Sequence, residues 1–292
     1  MVSLHLINYV NMRNSNSGLF LGVVISLLLY SCGDYNKIMK ADYSYRYEAA
    51  KQYYADGQYT KAVVLLQDVI SVLKGTDKGE ESLFLLGMSA YKARDYEASG
   101  NFFKKYFQTY TKGLYTEDAR YYNAMSLYNS IPEPKLDQTG TYEAVTAFQN
   151  LLDLYPTGIY AKESQDKIFK LQDRLVEKEY LSAKTYFDLG SYFGNCSYGG
   201  SNYEACIITA ENALREYPYT SRREEFAIMI LRAKYQLALH SIKAKELERM
   251  EATTEEYYAF ANEFPESKYL DEAKAIFDNA TKRTKKNNKR II

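Results

Sequence analysis

The sequence predicts an all-α chain of about five stacked helical hairpins and a closing helix. Three observations carry that reading. A phrase recurs as Tyr155-Pro156-Thr157-Gly158-Ile159-Tyr160, Tyr217-Pro218-Tyr219-Thr220-Ser221 and Phe264-Pro265-Glu266-Ser267-Lys268-Tyr269, with a proline-free copy, Tyr110-Thr111-Lys112-Gly113-Leu114-Tyr115. An aromatic closes a helix, proline forbids its continuation, and Ser or Thr is expected to cap the next one. The copies begin at 110, 155, 217 and 264, the spacing of a repeated helical unit. Finally, the small residues Ala50 and Ala62, and Gly87 and Ser99, lie twelve apart. That spacing brings them face to face where the helices of one hairpin touch.

The elements follow in order. Residues 1–31 read as a signal peptide, with Met12 an alternative start. Leu19 to Tyr30 is almost continuously apolar, Arg13 flanks it, and no acid precedes Asp34. The apolar run falls short of the ~20 residues a membrane span needs. It ends Leu29-Tyr30-Ser31-Cys32-Gly33, which resembles a bacterial lipoprotein signal; that resemblance implies lipidation of Cys32, a linker at 32–42 and attachment to a membrane.

Residues 43–156 hold three repeats. The first turns at Asp56-Gly57 and the second at Arg94-Asp95. Leu66, Val69, Phe103 and Tyr106 are expected to pack on the neighbouring hairpin. The third is interrupted by a proline- and glycine-bearing loop, 130–140, which reads as a protrusion or a tolerated insertion. Residues 157–280 hold a long helix from about Tyr160 to Phe193, a glycine-rich loop at 194–202, and the remaining repeats. The last pair is placed at 222–250 and 253–264, with a closing helix from Ser267. Residues 281–292 read as a frayed basic tail.

The hairpins resemble tetratricopeptide repeats. Asp173-Arg174-Leu175-Val176-Glu177-Lys178-Glu179-Tyr180, leading into Ala183-Lys184-Thr185-Tyr186-Phe187, is similar to the mid-chain helix of the BamD family. The aromatic-proline joints, the Asp137-Gln138 loop and the lipoprotein signal agree with it. The resemblance implies a non-enzymatic lipoprotein scaffold for outer-membrane β-barrel assembly, on the periplasmic face of the outer membrane. It implies contact of unfolded outer-membrane proteins with Tyr53, Tyr54, Tyr91, Phe102 and Phe103. It implies docking of the periplasmic domains of a BamA-like barrel subunit around Asp137, Gln138, Asp173, Arg174, Tyr198, Arg222 and Arg223. For each aromatic, plain core packing is the competing reading. Rival functions are another tetratricopeptide adaptor lipoprotein, or a glycan-binding lipoprotein of the SusD kind. The latter is larger and tryptophan-bearing, whereas this chain has no Trp and 31 Tyr.

No enzyme chemistry assembles. The chain has two histidines, His5 and His240, and no metal-ligand spacing or phosphate-cradling glycine loop. No cofactor beyond the lipid on Cys32 is expected. Residues 32–280 hold 30 bases against 37 acids, which argues against nucleic acid as a partner. Acid pairs such as Glu80-Glu81 read as helix-start charges. Cys196 and Cys206 form either a disulfide or two free thiols, and the sequence leaves both open.

Overall fold

A computed structural model describes residues 37–192 and 201–291. Among them are eleven helices of at least thirteen residues. In chain order they are α1 Tyr43–Ala55, α2 Tyr59–Leu73, α3 Asp77–Lys92, α4 Tyr96–Thr109, α5 Thr116–Asn129, α6 Thr139–Leu154, α7 Ala161–Leu189, α8 Asn202–Glu216, α9 Arg223–Leu239, α10 Lys243–Glu263 and α11 Leu270–Ile291. No strand occurs among the described residues. The chain divides into two compact units. One runs to Ser130 and takes in Asp153–Gly158; the other holds Ile131–Leu152 and everything from Ile159.

In the first unit each of α1 to α5 packs on the next. Asp42 and Asp95 begin α1 and α4 by accepting from Tyr45 N at 2.9 Å and Ala98 N at 3.1 Å. Gly57 turns the first hairpin at φ 74°, and Arg94 turns the second at φ 63°. The twelve-residue pairs meet as expected. Ala50 and Ala62 are fully buried, and Ser99 Oγ donates to Gly87 O at 3.1 Å. Leu66 and Val69 reach Leu86 of the next hairpin, while Phe103 and Tyr106 share a cluster with Ala119 of α5.

In the second unit α7 to α11 also pack in succession. Val176 and Ala183 of α7 meet Cys206, Ala210, Phe226 and Met229 in one core. Ile228, Leu231, Phe260, Ala273 and Ile276 form the next, and Ala238, Met250 and Ala280 extend it. Gly190, at φ 54°, stops α7. Asn202 Nδ2 then donates to Gly190 O at 3.1 Å, so α8 starts beside the end of α7.

The four aromatic joints share one backbone ladder. The amide of the fourth residue donates to the carbonyl of the first at 3.1 Å in every copy: Gly113 to Tyr110, Gly158 to Tyr155, Thr220 to Tyr217, Ser267 to Phe264. The next helix then opens from the sixth residue, as Ala119, Ser164, Phe226 and Ala273 donate to Tyr115, Tyr160, Arg222 and Tyr269. Tyr110, Tyr217 and Phe264 hold φ between −114 and −126° and ψ between 65 and 70°. Tyr110 lacks a following proline, so proline reinforces this geometry without creating it.

Several expectations are corrected. Ser and Thr do not cap the next helix, because Tyr115, Tyr160 and Arg222 occupy the N-cap positions without side-chain capping. Thr116 Oγ1 instead donates back to Tyr110 O and Gly113 O, and Ser267 Oγ accepts from Tyr269 N. The last pair breaks at 240–242, not between Met250 and Thr253. Thr253 and Thr254 stay helical by donating to Arg249 O and Glu251 O. The basic tail extends α11 to Ile291. It carries no Gly or Pro, and its cations favour a helix C-terminus.

A methyl group added at Gly87 would lie 2.7–2.9 Å from the Phe103 ring. Gly87→Ala is expected to destabilise the chain by about 1–3 kcal/mol in chemical denaturation, as overpacking does. Adding Phe103→Leu should return part of that loss.

Candidate functional site

The first unit is organised by two adjacent carboxylates. Glu80 and Glu81 lie on α3 and reach different neighbours. Tyr106 of α4 donates its hydroxyl to Glu80 at 2.5 Å, and the same carboxylate accepts from Leu114 N at 2.6 Å. Tyr47 of α1 donates to Glu81 at 2.5 Å, beside Lys51 at 2.7 Å. Burial, then the carboxylate partner, pushes both tyrosines well above their ordinary pKa. Lys51 and Tyr47 hold Glu81 below the usual carboxylate range.

Four of the five aromatics proposed for substrate contact are half-buried. Tyr54 sits edge-on to Tyr59 at 5.6 Å, and Lys61 lies over Tyr53 at 5.2 Å. Tyr91 lies edge-on to Tyr96 and Tyr122 and accepts from Asn129 Nδ2 at 3.0 Å. Phe102 touches both core clusters of this unit. Phe103 is corrected: it is fully buried, stacked on Tyr122 and seated against Gly87, so it offers no surface.

The second unit carries a cleft of about 300 Å³ between α7 and the joint at 217–220. Phe169, Gln172, Asp173 and Val176 line one wall; Glu216, Tyr217, Pro218, Tyr219 and Thr220 line the other. Tyr219 is 99% exposed and Phe169 56%. The Tyr217 hydroxyl bonds Glu216 and Tyr142, and burial with these partners drives its pKa far up. The cleft therefore pairs exposed aromatic faces with two carboxylates, a chemistry suited to an apolar segment bearing a cation.

Among the described residues proposed for docking, Asp173 alone lines this cleft. The other described ones are engaged inside the unit. Gln138 is fully buried: it donates to Glu133 O at 2.8 Å and accepts from Thr141 Oγ1 at 2.7 Å and Arg174 Nε at 3.2 Å. The loop is thus pinned to α7 rather than protruding freely. Asp137 closes on Thr139. Arg222 pairs with Glu177, and with Glu225 at 2.6 Å, and lies 4.5 Å over Tyr180; Arg223 pairs with Glu263. Tyr198, Cys196 and Cys32 lie outside the described residues. Cys206 is a buried free thiol whose pKa burial pushes up to about 12. The sequence reading missed Phe169 and Tyr219. The signal was present: Phe169, Asp173 and Val176 fall at i, i+4 and i+7 of α7.

Residues 39–197 match the family described as YfiO, outer membrane lipoprotein. The chain belongs to this family, the BamD family. Among curated proteins it is similar to the outer membrane protein assembly factor BamD of Caulobacter vibrioides, 22% identical over 46% of this chain and 44% of that one. It is also similar to that of Rickettsia prowazekii, 22% identical over 63% of this chain and 68% of that one. The match thus spans about half to two thirds of the length of these relatives.

Two outcomes are expected. Glu81 has a depressed pKa, so its stabilisation is present above the ordinary carboxylate range and is lost as pH falls through its folded value. Urea melts across acid pH should show that loss, and Glu81→Gln should flatten it. Cys206 should resist iodoacetamide in the native protein and react in urea without reductant, as peptide mass mapping would show.

Proposed function

We propose that this protein is a non-enzymatic scaffold lipoprotein in the assembly of outer-membrane β-barrel proteins. It is held at the periplasmic face of the outer membrane by a lipid on Cys32. The observation that carries the reading is the family match over 39–197, with relatives named as outer membrane protein assembly factors. The helical-hairpin architecture supports it, since stacked hairpins present extended surfaces to protein partners. A BamA-like barrel subunit docks on the second unit, with the cleft at Asp173 and Tyr219 as the contact. Unfolded outer-membrane proteins meet the half-buried aromatics Tyr53, Tyr54, Tyr91 and Phe102 of the first unit.

Tagged chain purified from detergent-solubilised membranes should bring down a BamA-like barrel subunit. The double variant Asp173→Lys with Tyr219→Ala is expected to weaken that recovery on the order of tenfold or more, as loss of an interface anchor does. Recovery of a glycan transporter or a cell-wall complex with no barrel subunit would overturn the reading.

A further inference from the structure

The C-terminal helix separates two faces. Ala273, Ile276 and Ala280 are buried against the rest of the second unit, and Thr284 continues their stripe, donating to Ala280 O at 3.1 Å. Lys282, Lys285 and Lys286 are exposed on the opposite side. With Lys289 they fall at i, i+3, i+4 and i+7, one face of a helix. No acid follows Asp278, and Arg283 and Arg290 add further charge. Of these cations, Arg283 bridges inward, to Glu246 at 3.6 Å.

We infer that this cationic face of α11 docks on an anionic phospholipid bilayer, as a second membrane contact beside the lipid anchor. Three features select a bilayer. The face carries no apolar residue among the exposed lysines, and protein interface cores are depleted in lysine and built on aromatic anchors. Lys282, Lys285 and Lys286 are exposed along one face of a single helix, so they fit a spread charge rather than a discrete ligand. Four to eight basic residues on an amphipathic helix are also the number that holds such a segment to anionic lipid. Anchoring through the linker at 32–42 would also keep the helix at high effective concentration beside the membrane, where weak charge contacts become occupied. The inference rests on the membrane attachment of this family and not on its assembly role.

The test uses the mature chain, residues 32–292 carrying Cys32→Ser, which leaves every described residue unchanged and removes both the apolar leader and the lipid anchor. It is sedimented with vesicles of phosphatidylcholine alone or mixed equally with phosphatidylglycerol. Binding to the anionic vesicles should exceed binding to the neutral ones by about tenfold or more at low salt, and should vanish at high salt. Replacing Lys282, Lys285 and Lys286 with Gln should abolish the difference; replacing them with Arg should keep it. Equal binding to both vesicle types, or full binding by the Gln variant, overturns the inference. So does tail-dependent capture of an acidic protein by a chain that ignores anionic vesicles. No other protein is present in the vesicle arms, so a failed recovery of the barrel subunit leaves their result standing.

Discussion

The whole chain depends on how it leaves one helix and enters the next at the aromatic joints. Each joint must release the backbone for about six residues without stranding polar groups. The shared ladder of main-chain bonds does part of this, side chains such as Glu80, Thr116 and Ser267 take up groups it leaves, and Tyr110, Tyr217 and Phe264 hold one narrow backbone setting at the first position. Side chains then adapt to what lies beside each copy. In the first unit Tyr115 N donates to the buried Tyr106 hydroxyl at 3.0 Å. In the second, Arg222 takes the position that tyrosine fills elsewhere and ties the joint to Glu177 and Tyr180 of the long helix.

Packing between joints follows from size. Where Gly87 and Ser99 meet, the helices approach closely enough for a hydroxyl to reach a backbone carbonyl. Space freed by the missing side chain is filled by Phe103. The same trade occurs with Ala50 and Ala62, under Tyr47 and Leu65. Tyrosine-rich composition serves this plan, because each ring fills a gap and its hydroxyl finds a partner such as Glu80, Glu81 or Asn129.

The hairpin order, the joints and the small-residue contacts were legible because each rests on local backbone chemistry. What was not legible depended on residues distant in the chain. Phe103 reads from its spacing as a packing residue and through the resemblance as a surface aromatic, and only Gly87 opposite it decides for packing. Gln138 reads as an exposed loop residue until Arg174 and Thr141 surround its amide. The 240–242 break carries neither Gly nor Pro, while the threonines that resembled a break satisfy themselves inside α10. The cleft combines a helix and a joint more than forty residues apart, and only folding sets Phe169 beside Tyr219.

Glu80 and Glu81 are neighbours on one turn of α3, yet Glu81 holds the hairpin behind while Glu80 holds the second helix of its own hairpin and the joint that follows it. A stack of repeats ordinarily frays from its ends, one unit at a time. Here the second hairpin's first helix is a rivet between its neighbours. Protonating Glu81 slackens the seam between the first two hairpins, so acid opens the first unit at that internal seam and not from its ends.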